Sequence, residues 1–305
     1  MTSVLYDVPG PKTRRRSMIA SVIGIIVIVA FFFWMYATLA APRVNANGAI
    51  TPGMFDASRW TILADPVVWQ SFGTGVVNTL RMAAVGALLA IVIGILFSFG
   101  RTARSRWIRI PTGFVLEIVR GIPLLLMIFF VFLVFTAGSY WSGVIGLAVY
   151  NGAIIGEALR AGVASLPRGQ REAGLAVGLT PLKTWFLVEF PQAFRQMLPI
   201  ILAQLVVLLK DTSLAYVVSY PELARTIKND TTFFGSRYTL TLFIVGLVIY
   251  LALNLTVSWI ARFVARRSGP KLGKTSAATP KQPGEDGTRA ITLPSRRNSP
   301  PLSPG

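Results

Sequence analysis

Residues 167–199 read PRGQREAGLAVGLTPLKTWFLVEFPQAFRQMLP, a polar and amphipathic stretch set between runs of apolar residues. Leu175 and Ala176 give 168–177 the pattern of a short amphipathic helix. Gly178 supplies a left-handed stop. Thr180 is a good N-cap, and Pro181 falls at the first position of the helix that follows. The segment therefore reads as helix, tight turn, helix: an elbow made for the surface of something large and apolar.

What lies on either side is membrane. Of the 305 residues, 53% are hydrophobic and 14% charged, against about 25% charged in an ordinary soluble domain, and the mean hydropathy is +0.60. Apolar runs long enough to cross a bilayer core about 30 Å thick occur at 18–41, 73–99, 112–136, 142–163, 199–219 and 238–264. The expected fold is all-α, a polytopic membrane protein of about six transmembrane helices. The first run is too long for the apolar region of a signal peptide. We expect a polar segment at 1–17, the first transmembrane helix at 18–41, an external segment at 42–72, a core domain over 73–264 and a disordered basic tail over 265–305, rich in Pro, Ser, Lys and Arg.

The net charge of +18 resembles a nucleic-acid signal only until it is mapped. The excess lies at the N-terminus, in RTARSRWIR (101–109), in 164–198 and in the tail. Six crossings put all four segments on one side, which the positive-inside rule makes the cytoplasm, with both termini there. The chain has neither Cys nor His, so disulfides, thiolate metal sites and the commonest general base are excluded. No cofactor is expected. The nearest phosphate-loop lookalike, GPKLGKTS at 269–276, has three residues between Gly269 and Gly273 where the motif needs four. An intramembrane enzyme therefore lacks obvious catalytic groups. A secondary transporter or channel explains intramembrane charge but not the elbow.

Such charge is present. In QLVVLLKDTSLAYVVSY (204–220), Lys210 and Asp211 interrupt an apolar run, with the hydroxyls of Thr212 and Ser213 beside them. Asp211 is 12 residues beyond Pro199, roughly 18 Å along a helix and near mid-bilayer. Neighbours on a helix point about 100° apart, so each of the pair needs a partner on another helix or a water-filled cavity. Glu117, Arg120, Glu157, Arg160 and Arg81 add further charge, and Asn78, Thr79 and Asn151 further polarity. Both an ion-pair network and a polar translocation pathway fit these residues; intramembrane charge favours function.

The elbow resembles the coupling loop of the permease subunits of ATP-binding-cassette importers. That family's pattern is Glu-Ala-Ala, three residues, Gly, nine residues, then Ile-x-Leu-Pro. Here Glu172, Ala173 and Gly174 stand at the triplet, Gly178 at the glycine, and Val188, Glu189, Phe190 and Pro191 at the close. GTGVVNTLRMA (73–83), EIVRGIPLLL (117–126), IIGEALRAGVASLPRGQREAG (154–174) and LLKDTSLAYVVSYPEL (208–223) are similar to segments of the polar amino-acid branch. The resemblance covers about 71–260 and implies the type I importer permease fold. It implies a non-catalytic, pore-forming subunit of an amino-acid importer in the bacterial plasma membrane, with glutamate or another polar amino acid as cargo. It implies four partners: a cytoplasmic ATPase dimer, a second permease subunit (paralogue or same chain), an extracytoplasmic solute-binding protein and the amino acid itself. Gln170, Glu172, Ala173, Gly174, Gly178 and Pro191 are the expected ATPase-coupling residues. Asn78, Glu117, Arg120, Glu157, Lys210, Asp211, Thr212 and Ser213 are the candidates for the substrate pathway.

Overall fold

A computed structural model of the protein describes residues 10–44, 48 and 50–268. The expected N-terminal segment lies mostly outside these residues. So does the tail beyond 268, with the phosphate-loop lookalike.

Helix α1 (Pro11–Ala40) begins with the basic Lys12 and Arg14–Arg16, is apolar beyond them and, apart from Gly24 and its last two residues, is exposed along its length. Its C-terminal end meets the next segment: the Met54 N–H donates to the Leu39 carbonyl at 2.8 Å, and Tyr36 stacks on Phe55. A short antiparallel bridge pairs β1 (Arg43–Val44) with β2 (Ile50–Thr51). Two 3-10 turns follow, Ala57–Arg59 and Thr61–Ala64. The Arg59 guanidinium donates to the Pro52 carbonyl at 2.7 Å, and the Thr241 hydroxyl to the Arg59 carbonyl at 3.0 Å.

The body begins at α2 (Pro66–Thr102). Asp65 caps it by accepting from the Val67 N–H at 2.9 Å, and Pro66 occupies its first turn. After α2 come α3 (Arg106–Gly121), α4 (Leu124–Phe135) and α5 (Gly138–Ala164). The sequence suggests one span over 112–136. The chain instead has two helices whose axes are bent by 104°. The cause is local: Pro123 lacks an N–H and biases Ile122 away from helical backbone. Helix α4, 12 residues long, covers only about 18 Å. Helix α3 is amphipathic. Trp107, Ile110 and Phe114 form its exposed apolar side, while Arg106, Arg109 and Arg120 supply charge.

The elbow is present as α6 (Arg168–Ala176) and α7 (Pro181–Thr184). It runs on through a π turn at Trp185–Glu189 into α8 (Phe190–Asp211). Helix α8 gives way to 3-10 geometry over Thr212–Val218, and Ser219 turns the chain in a left-handed conformation (φ 61°). The sequence reads 220–237 as a polar loop. It contains a helix, α9 (Leu223–Phe234), whose start is capped by the Glu222 carboxylate. α9 packs along the first half of α2. There the Leu223 N–H donates to the Thr79 hydroxyl at 3.1 Å, and Ser71 Oγ donates to Asp230 at 2.7 Å. The last helix, α10 (Thr239–Ser268), extends past 265, so the first residues assigned to the tail are helical. Among the described residues, five helices are long and apolar enough to cross a membrane, and a sixth crossing exists only if the bent pair α3–α4 counts as one span. The protein is a multi-pass membrane protein.

Helices α2 and α5 form the centre. Their contact is a seam of small residues. A Cβ on Gly152 would lie 2.7 Å from Ile93 Cγ2 and 3.1 Å from the Ala90 carbonyl oxygen. One on Gly156 would lie 2.7 Å from Phe97 Cβ and 3.0 Å from the Gly94 carbonyl. In hydrocarbon, where burying apolar surface gives no drive between helices, such close backbone approach supplies the attraction. Leu147, Ile155, Leu159, Ile201 and Leu208 pack around the seam with Met82. Gly152→Leu is expected to force the two helices apart and destabilise the protein by about 1–3 kcal/mol or more. A lowered midpoint in a detergent thermal-melt series checks this; an unchanged midpoint shows that the seam is not where the fold is held.

Candidate functional site

Two regions hold the candidate residues. At the elbow, the turn is built as the sequence suggests. Gly178 has φ +83°, a conformation that only Gly adopts at little cost. Thr180 accepts from the Lys183 N–H at 3.4 Å. Gly174 is buried, and a Cβ there would lie 2.7 Å from Thr184 Cγ2, so the departure from the family's second alanine has a steric reason. Glu172 and Ala173 are exposed. Gln170 accepts from the Gln192 amide at 3.2 Å, which ties α6 to α8. Pro191 sits in the first turn of α8, directly after the π turn. Trp185 is buried there, stacked on Phe190 with ring centroids 5.0 Å apart and edge-on to Phe99 at 5.2 Å. The elbow is thereby joined to α8 by continuous chain and to the end of α2 by an aromatic cluster. These aromatics were not read as part of the site, because nothing in their sequence spacing shows that Phe99 and Trp185 meet.

The second region is where α8 ends. Lys210 is exposed and Asp211 half-buried, and among the described residues neither side chain has a hydrogen bond or an ion pair. The Thr212 hydroxyl donates to the Leu209 carbonyl at 2.7 Å, and that of Ser213 to the Lys210 carbonyl at 3.0 Å. Ser and Thr hydroxyls compete in this way for helix carbonyls, in keeping with the change from α to 3-10 geometry at this point. Tyr250 of α10 donates to the Lys210 carbonyl at 2.6 Å. It too was missed, since 40 residues separate the pair. Asn78 is used structurally, its amide donating to the Pro221 carbonyl at 2.9 Å. Asn151 is buried and bonded to Gln204 across α5 and α8 at 2.8 Å. Arg81, outside the expected pathway set, lies 5.1 Å over the Tyr140 ring.

The remaining charged candidates separate from Lys210 and Asp211. Glu157 accepts from the Arg160 guanidinium at 2.6 and 2.9 Å, with Arg101 at 4.0 Å. Glu117 and Arg120 are a loose pair at 3.9 Å on α3. Geometry thus divides the five charged candidates into paired Glu117, Arg120 and Glu157 and an unpaired Lys210 and Asp211 at the helix break, while Asn78, Thr212 and Ser213 are bonded to backbone carbonyls.

Comparison with known proteins follows the same lines. The family model described as "Binding-protein-dependent transport system inner membrane component" matches residues 86–269. The chain belongs to that family. Among similar permeases is the glutamate transport system permease protein GluD of Corynebacterium glutamicum, 32% identical over 76% of this chain and 89% of its own length. The probable glutamine ABC transporter permease protein GlnP of Bacillus subtilis is 34% identical over 64% of this chain and 90% of its own length. A solved amino acid ABC transporter shares the fold at TM-score 0.60 and 23% identity, over 68% of this chain and 98% of the other. The chain is thus a non-catalytic permease subunit with the type I importer fold, and ATP hydrolysis belongs to a separate chain. Permeases of such importers work with an ATPase, a second permease and a solute-binding protein.

At the opposite end of this permease from the elbow, Glu222 is fully buried as the cap of α9. It accepts from the Ala224 and Arg225 N–H groups at 2.8 and 2.7 Å. Burial pushes its carboxyl from 4.5 up to about 7, against the two N–H bonds that lower it. Burial also raises Asp230. The native state therefore holds these protons more tightly than the unfolded chain. Their contribution is fully present below the unfolded pKa and is lost as pH rises from there through about 7. The melting midpoint in detergent should fall across that window. Glu222→Gln, which cannot ionise, should flatten most of the fall and leave the part due to Asp230; an unaltered slope would rule out Glu222 as its source.

Proposed function

We propose that the chain forms half of the translocation path of an ATP-driven importer of polar amino acids. Glutamate and glutamine-like solutes are the best-supported cargo, because similar permeases are named for glutamate and glutamine. The proposed setting is the bacterial plasma membrane, with both termini and the elbow cytoplasmic, as the basic segments 101–109 and 164–198 favour. The proposed organisation is a first transmembrane helix over 18–41, an external segment over 42–72 and a permease core over 73–264.

The observation that carries the reading is the unpaired Lys210 and Asp211 at the end of α8. Removing a charge from water without a partner is costly, and a membrane protein retains such groups where they meet solute or a water-filled path. An amino acid carries one ammonium and one carboxylate. Asp211 matches the ammonium, and Lys210 offers a donor to the carboxylate, while Ser213, whose hydroxyl proton is given to the Lys210 carbonyl, offers only an acceptor. Glu157, paired with Arg160, is in this reading a structural charge. Thr212 and Asn78, whose polar groups are already bonded, shape the wall, and Glu117 and Arg120 belong to the elbow side.

At the other end, Glu172 and Ala173 present the exposed face of α6 to a groove in a cytoplasmic ATPase, while Gln170, Gly174, Gly178 and Pro191 fix the elbow's shape. A second permease subunit, a paralogue or another copy, completes the path, and a solute-binding protein delivers cargo from outside.

Two measurements test the two ends. In proteoliposomes containing the assembled importer, Asp211→Asn should lower amino-acid affinity about tenfold or more, the size of a lost charge-assisted contact, with ATPase association intact. Unchanged affinity removes Asp211 from the path. Glu172→Ala should weaken co-purification with the ATPase and reduce ATP-driven uptake; normal uptake would place the coupling contact elsewhere.

A further inference from the structure

Beneath the elbow lies a cavity of about 450 Å3, of whose lining the transport reading uses only Glu172. Arg101 of α2, Arg109 of α3, Arg160 of α5, and Arg168 and Arg171 of α6 line it. Two carboxylates, Glu172 and Glu189, share the lining, so five cations face two anions. Arg160 is satisfied by Glu157, and Arg101 lies 4.0 Å from the same carboxylate. Arg109, Arg168 and Arg171 have no carboxylate within 4 Å among the described residues. Pro167 and Arg168, at the start of α6, bring the positive end of a helix lacking any side-chain cap to the same space.

The three arginines left without a carboxylate come from two elements, Arg109 from α3 and Arg168 and Arg171 from α6, and such groups repel one another unless an anion sits among them. Their planar forks suit phosphate oxygens. Arg109 and Arg168 are exposed and Arg171 is half-buried, so the cavity they line is open to an incoming headgroup.

A second cavity, of about 210 Å3, adjoins the first and shares Thr102, Val163, Arg171 and Glu189 with it. Apart from Arg104 and Ser105, its other lining is apolar, led by Phe99, Ile108, Leu182 and Trp185. A cationic chamber opening beside an apolar one matches an amphiphile more closely than a free ion. Helix α3, which forms part of both walls, presents Trp107 (90% exposed), Ile110 and Phe114 outward, the composition of a helix lying at a lipid interface.

We propose that this paired cavity binds a phosphate-bearing anion, namely the headgroup and adjoining chain of an anionic phospholipid from the elbow-side leaflet. Arg109, Arg168 and Arg171 hold the phosphate, and the Phe99–Trp185 wall takes the apolar part. Because Arg168 and Arg171 belong to α6, the bound lipid steadies the elbow in the position from which Glu172 is presented.

The test uses the full-length chain, purified with the subunits that accompany it, in nanodiscs of phosphatidylcholine with graded phosphatidylglycerol. Native mass spectrometry reads which lipid is retained. The wild type should retain phosphatidylglycerol preferentially. R109Q/R168Q/R171Q should lower that apparent affinity by at least about tenfold, as expected for losing charge-assisted contacts. R225Q/K228Q, at the other end of the molecule, should leave it unchanged. R109K/R168K/R171K, which keeps the charge, should retain most of the preference and controls for loss of folding; if the glutamine triple fails to assemble, Arg168→Gln alone is read for a partial loss. A saturable rise in melting midpoint with inorganic phosphate, abolished in the glutamine variant but without preference for phosphatidylglycerol, upholds the phosphate site and overturns the lipid. Absence of both responses in the wild type overturns the proposal. Loss of the ATPase from the glutamine variant with lipid retention intact also overturns it, and gives these arginines to protein docking.

Discussion

A bilayer core offers backbone groups no water and gives apolar side chains no reason to leave it. A helical membrane protein must therefore be held by contact itself, and in this chain the decisive contact is the seam where α2 and α5 touch through Ala90, Gly94, Gly152 and Gly156. The rest is arranged around it. α8 packs on α5 at Gly162, where a Cβ would lie 2.6 Å from Met197 Cγ, and α9 lies on α2 at Gly75 and Thr79. Both ends of the α2–α5 pair are then available for function: one carries the arginine-lined cavity and the elbow, the other the α9 cap at Glu222.

The mid-molecule region depends on the same economy of polar groups. Where α8 ends, Thr212 and Ser213 turn their hydroxyls back on the helix, and Tyr250 donates to the Lys210 carbonyl. The backbone is thus satisfied locally, while among the described residues the Lys210 and Asp211 side chains have no hydrogen bond or ion pair. Glu157 shows the contrasting solution: its carboxylate takes two bonds from Arg160.

Much of this was readable in advance, and the reasons differ by residue. The elbow was legible because Gly178, Thr180 and Pro181 each impose a backbone geometry by themselves. The spans were legible because hydrocarbon demands long apolar runs. The broken third span was not, although Pro123 was in plain view, because a proline inside an apolar run is also compatible with a mere kink. Helix α9 was hidden by its polar composition, as its apolar face is only Leu223, Ile227 and Phe234. The pairing of Glu157 with Arg160 was open, since spacing three apart permits a bond without requiring one. Long-range partnerships such as Tyr250 with Lys210, or Trp185 with Phe99, leave no trace in a single sequence.

The fit of Gly174 against Thr184 has a mechanical corollary. The arms of the elbow meet closely at Gly174 and Thr184, and Gln170 is bonded to Gln192 between α6 and α8, so these contacts oppose folding at Gly178. On the proposed reading, a stroke delivered to α6 would reach α8 through these contacts and through the continuous chain of the π turn, and so tilt the column that ends at Lys210 and Asp211.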